Sequence, residues 1–417
     1  MRRRSIGAAL LGLIAATAFA LPAQAADPIR IGLGMAQTGP LAVNGKSALL
    51  AMDIWREDIN AKGGLLGRPV EFVVYDDQSN PSTVPGIYTK LLDVDKVDLI
   101  VSGYGTNVIA PAMPVIIQHN RTFLSLFGLA VNGNFHYPKY FTITPTGPDP
   151  AVSSTIGFFE VGEMQNPKPK TLAIVAADAE YPRTSAEGVK KNAQKFGWKV
   201  VYDRNYPPNT TDFSPIVRAV QATNPDAVFV ASYPLDSVGM VRAASEVGLN
   251  VKLFGGGMVG LHITSVKQQL GPLLNGIVNY DFWIPAKTLQ FPGVMDFLKK
   301  YQEKAAKEGV DPLGYYLAPW AYTYMQVLAD AVEAAKGLDQ DKLADWLRGH
   351  TFKTVMGDIA FGEDGEMSES YSKMVQYQHL TGNSLEQFTT GAQPVILWPA
   401  KYKTGDALYP YDDKARK

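Results

Sequence analysis

Apolar positions along the chain fall into two alternating periods. "IRIGLGMA" (29–36), apolar but for Arg30, reads as a buried strand ending in a glycine-permitted turn. "GKSALLAMDIWREDINAKGG" (45–64) then places Ala48, Ala51, Met52, Trp55 and Ile59 on one helical face, and Gly63-Gly64 ends it. "RPVEFVVYDDQ" predicts the next strand and "PSTVPGIYTKLLDVD" the next helix. "VDLIVSGYG" and "TFLSLFG" predict two further buried strands, with the helical "NVIAPAMPVIIQHN" between them. After "ITPTGPDP" (143–150) the alternation restarts. Strands are expected at 170–178, 199–207, 226–234 and 251–257, and helices around 185–196, 213–223 and 237–247. Strands alternating with helices of this length imply parallel sheets covered on both faces, and two such series imply two α/β units. The last third predicts helices at 293–308, 316–336 and around 342–347, then a mixed tail with strands in "GDIAFGEDGEM", "SKMVQYQHL" and "PVILWPA".

The first residues depart from this pattern. Arg2, Arg3 and Arg4 precede an apolar run from Ile6 to Leu21, and Ala23-Gln24-Ala25 offers a small-x-small cleavage site, the signature of a secretory signal peptide over 1–25. Its removal takes three arginines and no acid, leaving 36 Lys+Arg against 40 Asp+Glu. No later stretch is long and apolar enough to span a bilayer. The chain has no cysteine, which excludes disulfides, thiolate metal sites and a cysteine nucleophile. An exported chain of this size without disulfides suits a bacterial periplasm. The acidic balance, without a basic run, gives no support for nucleic-acid binding.

Catalytic motifs are sparse. "FGGGMVG" (254–260) has Gly255, Gly257 and Gly260 in G-x-G-x-x-G spacing, with Asp281 at the distance of a ribose-binding acid. It follows the fourth strand of the second series, however, whereas the dinucleotide fingerprint sits on the first turn of its unit. A loop at a strand's C-terminal end, with glycine allowing a sharp turn or close approach, is the expected reading, and no cofactor is assigned. The five histidines lack metal-ligand spacing, no G-x-S-x-G occurs, and Asp76-Asp77 read as turn and cap residues. Tyr316, Trp320 and Tyr324 share a helix face, so Tyr316 or Trp320 is a candidate for a ligand site, although such stripes are more often core.

Four stretches carry a resemblance to a known family. They are "IRIGLGMAQTGPLAVNGKSALLAMDIWREDINAKGGLLGRPVEFVVYDDQSNPS", "YPPNTTDFSPIVRAVQATNPDAVFVASYP", "AYTYMQVLADAVEAAKGLDQDKLADWL" and "FKTVMGDIAFGEDGEM". In this order the chain resembles the type I periplasmic ligand-binding proteins of branched-chain amino acid and amide ABC importers. The resemblance implies two doubly wound parallel-sheet α/β lobes joined by three hinge crossovers, near 145–150, 277–283 and 355–360. Lobe one would comprise 27–146 plus 280–357 and lobe two 147–279 plus 358–417. It implies a monomer that captures a small molecule between the lobes and delivers it to an inner-membrane ABC permease, with no catalysis, no metal and no cofactor. A periplasmic sensor subunit of the same fold and a branched-chain amino acid binder are the alternatives.

The resemblance also nominates site residues. Family members hold a ligand carboxylate with hydroxyls and backbone N–H groups after two lobe-one strands, places matched by Gly105, Thr106 and Asn107 and by Phe127, Gly128 and Leu129 after Ser125. Tyr181 and Tyr233 match lobe-two tyrosines, and Asn44 matches a first-loop position. Amino-acid binders carry a carboxylate for the ligand's ammonium where this chain has Gly257 or Met258. A buried ammonium without a partner is costly. The expected ligand is therefore an aromatic or aliphatic carboxylate, or an amide, without an α-ammonium, unless Asp178, Glu180 or Asp236 supplies the missing acid.

Overall fold

The computed structural model describes residues 26–208, 210–389 and 394–411, so the expected signal peptide at 1–25 lies outside the described residues. The first sheet has five parallel strands: β1 (Ile29–Met35), β2 (Val70–Asp76), β3 (Leu99–Tyr104), β4 (Phe123–Leu126) and β5 (Tyr140–Ile143). Their spatial order is β2-β1-β3-β4-β5. The second sheet has seven strands: β6 (Thr171–Ala177), β7 (Lys199–Tyr206), β8 (Ala227–Ser232), β9 (Leu253–Met258), β10 (Val278–Asp281), β13 (Lys373–Gln376) and β14 (Val395–Trp398). They are ordered β14-β13-β10-β9-β8-β6-β7, with β13 alone running antiparallel to its neighbours β10 and β14. A small hairpin, β11 (Phe352–Thr354) and β12 (Gly357–Ile359), completes the strands.

Helices cover both sheets. α1 (Ala42–Ala61) buries Ala48, Ala51, Met52 and Trp55, as its periodicity predicts, and Trp55 stacks on Phe72 of β2. The stretch after β2 becomes a helical run with a 3₁₀ entry and a π exit around α2 (Val84–Thr89). Pro111 and Pro114 divide the next into α3 (Thr106–Ile109), a 3₁₀ turn and α4 (Met113–Gln118). α5 (Asn132–Phe135) is a single turn, and α6 (Pro150–Glu163) opens the second series. There α7 (Glu180–Phe196), α8 (Ser214–Ala222), α9 (Pro234–Val247) and α10 (Thr264–Leu270) alternate with the strands. α11 (Val294–Glu308), α12 (Ala318–Ala335) and α13 (Gln340–Gly349) return to the first sheet: α11 and α12 pack on α1, and the Tyr324 hydroxyl lies 3.0 Å and 3.1 Å from the carbonyls of Ser102 and Leu124.

Of the elements absent from the sequence-based expectation, α6, β5 and β10 bear on the site. α6 buries Thr155, Phe158, Phe159 and Val161 and packs against both α7 and the second sheet, so it lacks the polar face that marks a surface helix. β5 and β10 are four residues each, too short to show a period. β10 also gives a structural role to Asp281, the residue at the spacing of a ribose-binding acid. It is the last residue of the strand after β9, and its carboxylate accepts the Phe282 and Trp283 N–H groups at 2.8 Å and 3.3 Å, a turn-capping role. The glycine run follows the strand expected at 251–257 and not the loop reading of the same stretch. Gly255, Gly256 and Gly257 lie inside β9 rather than in a loop beyond it.

The segment 361–367 runs along β5, where Phe361 meets Phe141 and the Thr142 N–H donates to the Gly365 carbonyl at 2.9 Å. It buries Glu366 at 2% exposure, with neither carboxylate oxygen hydrogen-bonded among the described residues. Burial, reinforced by Asp364, pushes this carboxyl well above its ordinary value of 4.5. The folded chain therefore keeps Glu366 protonated while the unfolded chain ionises it, so stability falls as pH rises from about 4.5 towards the folded value. We expect Glu366→Gln to raise unfolding free energy at neutral pH by roughly 1–3 kcal/mol, a gain that shrinks towards pH ~4. Urea unfolding across that range checks this; a variant no more stable at neutral pH would contradict it.

Candidate functional site

The carboxyl ends of β3, β4 and β5 face those of β8, β9 and β10, the position at which open α/β sheets bind ligands. Between them is a narrow cavity lined from both sheets. Gly105 ends β3 with φ 100°, a conformation that favours glycine, and turns the chain so that Thr106 starts α3 at the cavity. Thr106 is buried, and its Oγ1 accepts the Leu129 N–H at 3.1 Å. Its own hydroxyl hydrogen remains to be donated. Leu129 and Phe127 line the same wall, Phe127 at φ 62°, an uncommon conformation for a bulky residue. The Phe127 ring is held edge-on against Phe282 at 5.1 Å and Tyr316 at 5.4 Å.

The opposite wall comes from the second sheet. Tyr181, Tyr233 and Gly257 line the cavity, and the two tyrosine rings lie 5.9 Å apart. The Tyr181 hydroxyl donates to the Gly257 carbonyl at 3.0 Å. A β-carbon on Gly257 would lie 3.1 Å from that hydroxyl and 3.4 Å from the Phe229 ring. On Gly256, at φ 112°, it would run into the Phe229 ring, and on Gly255 into the Val278 carbonyl of β10. The glycines of "FGGGMVG" are there because neighbouring strand, aromatic ring and phenol already occupy the side-chain space.

Five of the expected residues stand elsewhere. Met258, next in the strand, points away from the cavity; it is fully buried, and its backbone is clasped by the Asn279 carboxamide at 2.9 Å and 3.0 Å. Ser125 lies beneath the wall, donating to the Tyr140 hydroxyl at 2.8 Å, and Gly128 packs above that pair with its N–H 3.4 Å from Thr142 Oγ1. Asn107 faces an outer cleft, and its Oδ1 accepts the Tyr181 N–H at 3.2 Å, a direct bond between the two halves. Asn44 borders a separate small void behind Tyr316, with its Oδ1 unpartnered among the described residues.

The cavity also contains residues that the sequence reading did not find. Thr144 and Thr146 follow β5, Ser154 and Thr155 come from the unrecognised α6, and Tyr280 and Phe282 alternate at the end of β10. The alternation in "NYDFW" was a usable period-2 signal, obscured because the strand proper is so short. Tyr316 is in the wall, whereas Trp320, one turn further on, is fully buried against Tyr371. The hydroxyls of Tyr104, Tyr316 and Tyr280 form a chain, 3.4 Å and 3.0 Å apart, and that of Tyr280 abuts Tyr181. Burial raises all four phenols far above their ordinary value, so they stay protonated.

Among the described residues, no side chain bordering the cavity carries a charge. The acids considered as ammonium partners line the outer cleft instead. There Asp178 pairs with Arg183 at 2.6 Å, Glu180 opens α7, and Asp236 accepts from the Tyr206 hydroxyl at 3.2 Å. Among the described residues no cluster of histidine and acids could hold a metal ion, and no helix is long and apolar enough to cross a membrane.

Three comparisons bear on this arrangement. A sequence model of the periplasmic binding protein family matches residues 28–379. A leucine-, isoleucine-, valine-, threonine- and alanine-binding protein of Pseudomonas aeruginosa is 26% identical over 381 residues, covering 86% of this chain and 92% of the relative. The branched-chain amino acid transporter substrate-binding protein of Streptococcus pneumoniae, solved with isoleucine, superposes with a TM-score of 0.72 at 20% identity, over 89% of this chain and all of the other. An ABC transporter solute-binding protein of R. palustris, solved with 4-hydroxybenzoate, superposes with a TM-score of 0.73 at 20% identity, covering 86% and 95%.

The packing in β9 is directly testable. Gly256→Ala should lower unfolding free energy by roughly 1–3 kcal/mol, because neither the Phe229 ring nor the positive φ leaves room for a methyl group. Chemical denaturation of the two proteins measures it, and equal stability would mean that the strand is less crowded than its geometry implies.

Proposed function

The chain belongs to the periplasmic binding protein family, and from that premise we propose that it captures a small carboxylic acid or amide lacking an α-ammonium group and delivers it to an ABC permease. One observation carries the choice of ligand: the cavity is bordered by aromatic rings, hydroxyls and glycines, with no charged side chain among the described residues. A zwitterionic amino acid would bring an ammonium group that must shed its hydration without a carboxylate to receive it, a penalty of several kcal/mol. The Gly257 carbonyl, which lies at that place, already accepts from the Tyr181 hydroxyl and is neutral, so it does not replace a carboxylate. A carboxylate is better served, because it needs only donors. The Thr106 hydroxyl is one. The Tyr233 hydroxyl, buried and without a partner among the described residues, is another.

Aromatic rings on several sides favour a flat apolar body, gripped edge-on and face-on. That chemistry is closer to the 4-hydroxybenzoate of the R. palustris protein than to the isoleucine of the S. pneumoniae protein. The reading therefore departs from the branched-chain specificity named for the P. aeruginosa relative.

We place lobe one at 27–146 with 282–367 and lobe two at 147–281 with 368–411, moving about the crossovers as hinges; this shifts the expected bounds because β10 pairs within the second sheet and 361–367 lies along β5. The contact between Thr142 and Gly365 holds the segment 361–367 against the first sheet, so the last hinge is taken at 368–372. The bond from Asn107 to Tyr181 belongs to the closed form, and ligand binding favours that form through contacts made only there.

Titration of the mature protein with 4-hydroxybenzoate, benzamide and isoleucine separates the alternatives. Binding of the first or second, with isoleucine inert, is expected; tight isoleucine binding would refute the amine-free ligand. Thr106→Ala should weaken a bound carboxylate by roughly 1–3 kcal/mol, the cost of leaving a buried polar group unpaired, and unchanged affinity would place the anion elsewhere.

A further inference from the structure

Behind the cavity wall, on the short helical turn that follows β9, His262 is 5% exposed. Its Nδ1 lies 3.0 Å from the Val259 carbonyl and its Nε2 2.7 Å from the Tyr280 carbonyl. The imidazole is laid flat on the Tyr316 ring, with centroids 4.0 Å apart and planes at 6°, and it meets Tyr280 edge-on at 4.5 Å. Val259, Tyr280 and Tyr316 all line the cavity, whereas His262 faces two small voids on its far side. One side chain thus touches three pieces of the wall without reaching the ligand space.

Both ring nitrogens point at acceptors. A neutral imidazole has one N–H, so it bonds one carbonyl and turns a lone pair towards the other; the imidazolium donates to both. We propose that His262 is a positioning residue of the ligand cavity, fixing the carbonyls of Val259 and Tyr280 and the ring of Tyr316, and that its protonation tightens the hold on an anionic ligand. This rests on the cavity being the ligand site described above.

The surrounding charges set the direction of the effect. Burial lowers the imidazole below its ordinary 6.5, and Asp281 at the end of β10 opposes this together with the Tyr280 carbonyl. Lys267 on α10 adds to the lowering and lies close to Tyr377, which follows β13. Asp311, before α12, faces the same void but is engaged by the Thr264 hydroxyl and by the N–H groups of Thr264, Leu313 and Gly314. The phenols of Tyr280 and Tyr316 stay protonated. An anion in the cavity favours the imidazolium, so its affinity should rise as pH falls below about 6.5.

The experiment compares wild type with His262→Phe, which keeps a flat ring without nitrogens, and His262→Gln, which keeps an N–H donor without the ring. The dissociation constant of 4-hydroxybenzoate is measured between pH ~7.5 and ~5.5. Wild type should bind several-fold tighter at the acid end. His262→Phe should bind about tenfold more weakly there, the scale of one lost buried hydrogen bond. Asp236, pushed up to about 6 by burial, titrates in the same window, so only the pH dependence lost in both variants counts. Folded variants with wild-type affinity and wild-type pH profile would overturn the proposal. If wild type binds no 4-hydroxybenzoate, the ligand reading has failed, and near-ultraviolet circular dichroism of the ligand-free proteins decides instead. A tyrosine signal that changes with pH in wild type but in neither variant supports the role of His262, and identical profiles reject it.

Discussion

A run of tyrosine hydroxyls holds the two halves of this protein around one space. It starts at Tyr104 on the first sheet, passes through Tyr316 and Tyr280, meets Tyr181 and ends on the Gly257 carbonyl of the second sheet. Each phenol is buried and neutral, and each has an oxygen of the next partner within reach, so the run satisfies polar groups that would be costly to leave unpaired. The rest of the site depends on it. Phe127 and Phe282 pack on Tyr316, Tyr181 bonds Asn107 across the cleft, and Gly257 must lack a side chain for the last hydroxyl to arrive.

This construction makes the inner cavity electrically neutral and moves charge to its margins. Asp178, Glu180 and Asp236 lie in the outer cleft, and Lys373 and Asp281 lie behind the wall. Burial pulls Lys373 down to about 7, against the opposing effect of Asp281, and its ammonium is held by the carbonyls of Tyr371 at 2.6 Å and Phe282 at 3.0 Å. Phe282 is thereby tied to a crossover strand. The geometry of the cavity and that of the connections between the sheets are set by the same bonds, which suits the proposed coupling of ligand binding to hinge closure.

Much of the architecture was legible because its signals are local. Buried parallel strands read as unbroken apolar runs, α1 declares its face by spacing, and the restart of the alternation after residue 150 marks the second series. What failed to show was hidden by burial or brevity. α6 is covered on most sides and has no polar stripe, while β5 and β10 are too short to display a period. Each omission carried cavity-lining residues with it: Thr155 on α6, Thr144 beyond β5, Tyr280 and Phe282 at β10. Family resemblance reached Gly105, Thr106, Leu129, Tyr181 and Tyr233 but could not decide between Gly257 and Met258. In a strand, adjacent residues face opposite ways, so one of the two had to leave the cavity, and the pairing with β10 determines which.

By itself, the sequence determined the class of the fold, the absence of cysteine chemistry and the lack of an acid in "FGGGMVG", since composition and periodicity are properties of residues near one another in the chain. The tertiary structure decided what that lack means. It put Asp178, Glu180 and Asp236 outside the cavity, made the glycines a packing requirement of Phe229, Tyr181 and β10, and brought five tyrosines from distant segments to one neutral wall. Such convergence rests on contacts between residues dozens to hundreds of positions apart, where no local pattern records which side chains will meet.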